Sequence, residues 1–235
     1  DVAWENDLTA FRAYGPALQE TGERAFGYDI WTKYNTTEPV VEARYEGELN
    51  PDMKTKIAEL GKTDPKAAQE LYRSVSYHVD HGNGLDCYKV GPTLGGGTTA
   101  LMAGDTIVYP YCYATQEILD NGPLRFTVKL VYNPLVVKGD STIIETRIIT
   151  LDAGSYCNKT VVSYTNLKET MPLAVGIVLH EPDGAIVADA ANGYMTYVDP
   201  TDNAGGDNGK IFVGAAFPTL VKEAKAVLFP DNQEF

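Results

Sequence analysis

A chain of 235 residues, 44% hydrophobic and 10% aromatic, is long enough to bury a large core, and an all-β sandwich of this length forms one domain over 1–235. Its 32 Asp and Glu outweigh 19 Lys and Arg, and the resulting net charge of -13 repels phosphate backbones, which argues against nucleic acid as a partner. No apolar run approaches the ~18 residues of a membrane span, and the N-terminus lacks the basic and apolar regions of a signal peptide, as in a soluble protein or a trimmed mature one.

The first 34 residues hold both tryptophans, Trp4 and Trp31, with Phe11, Tyr14, Phe26, Tyr28 and Tyr34 set among Glu5, Asp7, Arg12, Arg24, Asp29 and Lys33. Such rings serve either as core anchors with polar neighbours or as a surface that stacks on sugar rings while the charges bond hydroxyls. Next, Asn50-Pro51 and Asp64-Pro65 each place a capping side chain before a proline suited to the first helical turn, which predicts two short helices up to Val75. In the second, Ala67, Leu71 and Val75 recur at spacing four and offer one face for docking.

Beyond Gly104 the chain reads as strands: Thr106 to Tyr111, Arg125 to Tyr132, Thr142 to Leu151, Tyr156 to Thr165, Leu173 to Leu179, Ala185 to Asp189, Tyr194 to Val198 and Ile211 to Ala215. Phe126, Val128 and Leu130 alternate with Arg125, Thr127 and Lys129, so that sheet has one wet face. Turn signals stand at Asp183-Gly184 and Asn192-Gly193, and Thr201 to Gly209 is a polar loop expected to be mobile. About eight closely spaced strands imply a sandwich. Cys87, Cys112 and Cys157 are too few and too scattered for a disulfide framework or a metal knuckle; the expectation is three half-buried small side chains, with one bridge and a free thiol as the alternative.

Polar chemistry concentrates between Tyr77 and Gly97, where His78, Asp80, His81, Asp86, Tyr88 and Lys89 lie among glycines that permit tight turns and close approach to a ligand. Two of the three histidines are here, and a neighbouring carboxylate such as Asp80 can orient either for proton transfer. Three readings compete. In one, His78 or His81 is a general base or acid with Tyr88 or Lys89 as partner. In another, His78 and His81 join Asp80 or His180 around zinc or calcium, although His-x-x-His between glycines lacks the helix that fixes such a site. In the third they are hydrogen-bonded turn residues. His180 closes the run from Leu173 at a strand end, where clefts open. Gly95-Gly96-Gly97-Thr98 lacks the ending of a phosphate loop, and Asp199 to Asp207 lacks the register of a helix–loop–helix calcium site.

Trp4-Glu5-Asn6-Asp7, Phe11-Arg12-x-Tyr14-Gly15-Pro16, Asp29-x-Trp31 and above all Asp80-His81-Gly82-x-Gly84-x-Asp86-x-Tyr88-Lys89-Val90-Gly91 resemble a domain-of-unknown-function family found in polysaccharide-degradation gene clusters of gut and marine bacteria. The resemblance covers nearly the whole chain. It implies a two-layer antiparallel β-supersandwich similar to galactose mutarotase, a periplasmic or secreted location, an oligosaccharide substrate and a chain that continues past Phe235. Fold alone supplies no activity. The expectation is an enzyme acting on uronate-containing oligosaccharides by proton abstraction, as a lyase, dehydratase or epimerase. His81 is the first choice of base and His78 the second; Arg12 or Lys89 neutralises the substrate carboxylate, and Tyr88 donates to the leaving oxygen. Trp4, Trp31, Glu5, Asp7, Tyr14, Asp86 and His180 complete the expected substrate-binding set. No cofactor is required, with a divalent calcium or zinc ion left open. Alternatives are mutarotase or glycoside hydrolase chemistry with Asp80 or Asp86 as base, and a carbohydrate-binding module without turnover.

Overall fold

The computed structural model describes residues 1–34, 37–181, 185–201, 208–218 and 221–225. The Asp183-Gly184 turn and most of the Thr201 to Gly209 loop fall outside these residues. The aromatic N-terminal stretch is a sheet: β1 (Val2–Glu5) pairs antiparallel with β2 (Thr9–Ala13), a short α1 (Pro16–Glu20) follows, and β3 (Tyr28–Lys33) pairs with β2. Three helices come next, α2 (Val41–Leu49), α3 (Pro51–Thr63) and α4 (Pro65–Val75), before β4 (Gly84–Asp86) closes the sheet beside β3.

The two helices expected from the capping signals are α3 and α4. Asn50 Oδ1 accepts the Asp52 and Met53 amides at 3.0 and 3.1 Å, and Asp64 Oδ1 accepts the Ala67 amide at 3.0 Å. Helix α2 is an addition to that reading, because its cap is not local: the Glu5 carboxylate reaches over from β1 to accept the Val40 and Val41 amides at 2.9 and 3.2 Å. A cap supplied from 35 residues away leaves no spacing signal in the sequence.

The rest is β. The order is β5 (Gly96–Ala103), β6 (Thr106–Val108), β7 (Tyr113–Asn121), β8 (Arg125–Tyr132), β9 (Leu135–Val137), β10 (Asp140–Asp152), β11 (Lys159–Thr165), β12 (Leu173–Ile177), β13 (Ile186–Asp189), β14 (Tyr194–Asp199) and β15 (Ile211–Ala216). Strands β11-β10-β8-β7 form one antiparallel sheet with β9 attached to β10, and β12-β5-β6 and β13-β14-β15 form two smaller ones. The protein is mainly β, in several antiparallel sheets with four helices among the described residues.

Two of these sheets face each other. Val2, Trp4, Phe11, Ala13 and Tyr28 of the first pack on Val128, Leu130, Ile149 and Leu151 of the large one. The alternation expected in β8 holds, with Val128 and Leu130 fully buried and Arg125 exposed. A second core forms beneath the polar loop, where Leu85, Cys87, Tyr88 and Val90 pack against Val178, Ile211 and Val213. All three cysteines are free; Cys87 and Cys112 are buried as small apolar side chains and Cys157 is exposed.

One interior feature departs from an apolar sandwich. Glu145 and Arg147 of β10 are fully buried and pair at 2.5 Å, with Tyr164 donating to the carboxylate at 2.8 Å and Arg147 stacked 4.4 Å over the Tyr132 ring. Burying such a pair contributes little net stability, but removing one partner strands the other charge.

Candidate functional site

Alternation along the first sheet decides what its outer face carries. Since Trp4, Phe11 and Tyr28 point into the core, Glu5, Ala10, Arg12, Asp29, Trp31 and Lys33 take the opposite face. The register then sets Arg12 directly across from Asp29 and Trp31 across from Asp86. Helix α2 and the start of the polar loop cover this face, packing Val41, Tyr45 and Tyr77 on Ala10 and Trp31.

A dense polar cluster results. Arg12 Nη2 lies 2.5 Å from Asp29 Oδ2, 3.4 Å from Asp86 Oδ2 and 2.8 Å from the Tyr14 hydroxyl, while Nη1 donates to the Tyr45 hydroxyl. Asp29 is fully buried and Asp86 nearly so. Burial opposes the Arg12 charge, yet the surrounding carboxylates and phenols hold the guanidinium well above its ordinary range. Two carboxylates facing one cation leave an excess negative charge in a dry site, and burial pushes the Asp29 carboxyl upward despite Arg12, Trp31 and Ile30. Burial likewise raises the phenols, Tyr77 to about 12 and Tyr14 and Tyr45 further. At neutral pH these hydroxyls keep their protons and are donors.

The loop residues separate into three groups. His78 is half-buried against the Tyr77 ring, 4.4 Å between centroids, and its Nδ1 meets the Asp86 carbonyl at 3.1 Å. A carbonyl only accepts, so Nδ1 carries the hydrogen and Nε2 of the neutral ring presents a lone pair. His81 is exposed and uses Nε2 on the Ser76 carbonyl at 3.1 Å, which frees Nδ1. Next to it Asp80 accepts the Tyr34 hydroxyl at 2.7 Å and the Gly82 amide at 2.8 Å. Burial works against ionisation of Asp80, but these bonds outweigh it and hold the carboxyl below its usual range. Arg44 of α2 anchors this turn by donating to the Val79 and Gly84 carbonyls at 2.6 and 3.1 Å.

On the other side of the loop, Tyr88 is buried and donates to the Gly95 carbonyl at 3.0 Å, and its phenol is raised well above the ordinary range by burial. Lys89 is exposed. His180 has both ring nitrogens engaged, Nδ1 with Asp199 at 2.5 Å and Nε2 with the Lys89 carbonyl at 2.7 Å.

Several expected roles change on this geometry. Trp4 and Trp31 are 3% and 1% exposed, so neither offers a ring face to a sugar and both are core anchors. Trp4 donates to Asn158 at 2.8 Å and stacks on Phe11 and Phe126; Trp31 packs on Tyr45 and Tyr77. Glu5 caps α2 and pairs with Lys33 at 2.6 Å, and Asp7 accepts the Gly154 amide at 2.7 Å, both ties within the fold. Arg12 already faces two protein carboxylates, which leaves little charge to neutralise a substrate's. Tyr88 has its hydroxyl spent on Gly95 in the interior. Among the described residues no group of three or more His, Cys, Asp or Glu is gathered as metal ligands would be, and His78, His81 and His180 turn to three different carbonyls.

Other residues enter the site that the sequence reading did not select. Asp29 lies in the Asp29-x-Trp31 motif and Tyr77 opens the polar loop, but only the strand register brings Asp29 to Arg12. Tyr45 arrives on α2, the helix with the non-local cap. A surface groove of about 500 Å³ between Leu101, Tyr164, Leu167, Met171 and Leu173, and one of about 310 Å³ beside Asn192 and Phe217, touch none of these residues. The ionisable groups that line the first groove are engaged elsewhere, Lys168 with Asp140, Glu169 with Lys138 and Tyr164 with Glu145, so the loop face is the better chemical candidate.

No helix among the described residues is long and apolar enough to cross a membrane. No solved structure matches this chain. The chain is similar to Uncharacterized protein P7 of Formosa agariphila, 26% identical over 204 residues that cover 84% of this chain and 45% of that protein, so it spans under half of that relative's length. The model of a family described as a domain of unknown function, DUF4861, matches residues 1–234, and the chain belongs to that family.

Proposed function

We propose that this domain is a carbohydrate-active enzyme of bacterial polysaccharide degradation, periplasmic or secreted, which acts on uronate-containing oligosaccharides by abstracting a proton, as a lyase, dehydratase or epimerase. The facing sheets are compatible with a mutarotase-like supersandwich. One observation carries the chemical reading: His78 is oriented by the Asp86 carbonyl with a free basic nitrogen, directly against Tyr77, whose phenol retains its proton. A base and an acid thus stand side by side in a turn that packs on the outer face of the first sheet.

In the elimination form, His78 Nε2 takes the proton from the carbon alpha to the substrate carboxylate. The electron pair forms a double bond to the adjacent carbon, whose bond to oxygen breaks, and the leaving oxygen takes the Tyr77 proton. Proton transfer from the imidazolium to the phenolate restores both groups. His81 stands as second base on the exposed turn. The Arg12 cluster supports the tyrosines from below.

The test is kinetic. His78→Ala should lower kcat/KM by about 10²–10⁴-fold, the usual worth of a general base, and Tyr77→Phe by about 10²-fold, with His81→Ala much milder. Because the Tyr77 phenol is pushed up to about 12, loss of its proton should not depress the rate before strongly alkaline pH. Full turnover in His78→Ala would overturn the assignment. Chain cleavage by water or anomer exchange, with neither a new double bond nor inversion at the carbon alpha to the carboxylate, would move the protein to hydrolase or mutarotase chemistry, and binding without product to a binding module.

A further inference from the structure

With both tryptophans buried, the aromatic surface at the histidine turn comes from Tyr34, which is 54% exposed immediately after β3. Its ring is not loose. The hydroxyl donates to Asp80 Oδ2 at 2.7 Å, Asp80 Oδ1 accepts the Gly82 amide at 2.8 Å, and Arg44 clamps the same turn through the Val79 and Gly84 carbonyls. An exposed ring fixed in orientation, with a carboxylate at its edge, is the combination that recognises a pyranose: the ring face takes the sugar's C–H face and the carboxylate accepts its hydroxyls. Pre-ordering the ring also removes part of the entropic cost of binding.

The sign of the charge selects the sugar. Asp80 is held ionised by its hydrogen bonds, in a chain of net charge -13, so a second carboxylate at this position is repelled. We propose that Tyr34 and Asp80 form a subsite for a neutral pyranose adjoining the uronate that reacts at His78, so that the substrate is a mixed oligosaccharide and not a homopolymer of uronate. This rests on the proton-abstraction reading of the same face.

Two probes test it: oligosaccharides of rhamnogalacturonan, in which galacturonate alternates with a neutral sugar, and oligogalacturonates, which are uronate throughout. Wild-type protein should prefer the first by about tenfold or more in kcat/KM, which corresponds to one favourable ring contact plus avoided repulsion. Tyr34→Ala should raise KM for the mixed substrate about tenfold with a much smaller effect on kcat, since the ring binds and does not react. Asp80→Asn should narrow the preference by admitting the homopolymer. Because Tyr34 is exposed, the thermal melt of Tyr34→Ala should match wild type. Equal use of both probes with no effect of Tyr34→Ala would overturn the subsite while leaving the His78 chemistry standing. Failure of wild-type protein to bind or convert either probe would overturn that chemistry and the subsite with it.

Discussion

Asp29 concentrates the competing forces of this protein in a single side chain. It sits 2.5 Å from a guanidinium yet shares that cation with Asp86, and the site admits almost no water. Replacing Arg12 by Met leaves two buried carboxylates without their cation and should cost about 3–5 kcal/mol by urea denaturation. The pH dependence has a definite sign. Burial raises the folded carboxyl of Asp29 above its unfolded value of about 4, so the folded state binds its proton more tightly. The stability this contributes is fully present below that unfolded value and is lost as pH rises through the folded value. Asp29→Asn should therefore destabilise most at acid pH, and the gap to wild type should shrink toward neutrality. A gap that widens with pH would mean that Arg12 outweighs burial and holds the Asp29 carboxyl below its unfolded value. At this scale the sequence was informative about residue types and silent about facing. Arg12 and Asp86 were selectable as polar residues in aromatic motifs, but the partnership of Arg12 with Asp29 depends on β2 and β3 lying in register.

Elements with local causes were readable, and elements with distant causes were not. Asn50 and Asp64 cap α3 and α4 from adjacent positions, and the alternation in β8 shows because one face is dry. Strands β1, β2 and β3 carry core rings on one face and charges with Trp31 on the other, so both faces look functional from composition. Strand β4 is only three residues long and begins at Gly84, whose backbone φ of +115° and whose approach to the Thr32 carbonyl leave no room for a side chain. Helix α2 depends on Glu5. Asn50→Ala should cost about 1 kcal/mol as an ordinary exposed cap. Glu5→Ala should cost more, because it uncaps α2 and also removes the carboxylate partner of Lys33, whose side chain is only 2% exposed. Equal costs in urea denaturation would show that the cap from β1 is incidental.

Over the whole molecule, the first sheet has two occupations. Its inner face closes a shared core with β8 and β10, and its outer face presents Arg12, Asp29 and Asp86 beneath helix α2 and the histidine turn. Site and core are thus two sides of the same strands, so the tyrosines and His78 stand on a surface as rigid as the sandwich itself. The broad β character and the concentration of ionisable side chains between Tyr77 and Gly97 were legible in the sequence; the division of that loop into an inner histidine beside Tyr77, an outer turn with Tyr34 and a buried return through Tyr88 was not, because it follows from packing against β15 and α2. The most direct measurement is incubation with a panel of uronate-containing oligosaccharides, followed by ultraviolet absorbance and mass spectrometry. New absorbance, with chain cleavage or loss of water that disappears in His78→Ala, is the result expected for elimination at this face. Consumption of substrate with no unsaturated product, or unsaturated product formed equally well by His78→Ala, would contradict it.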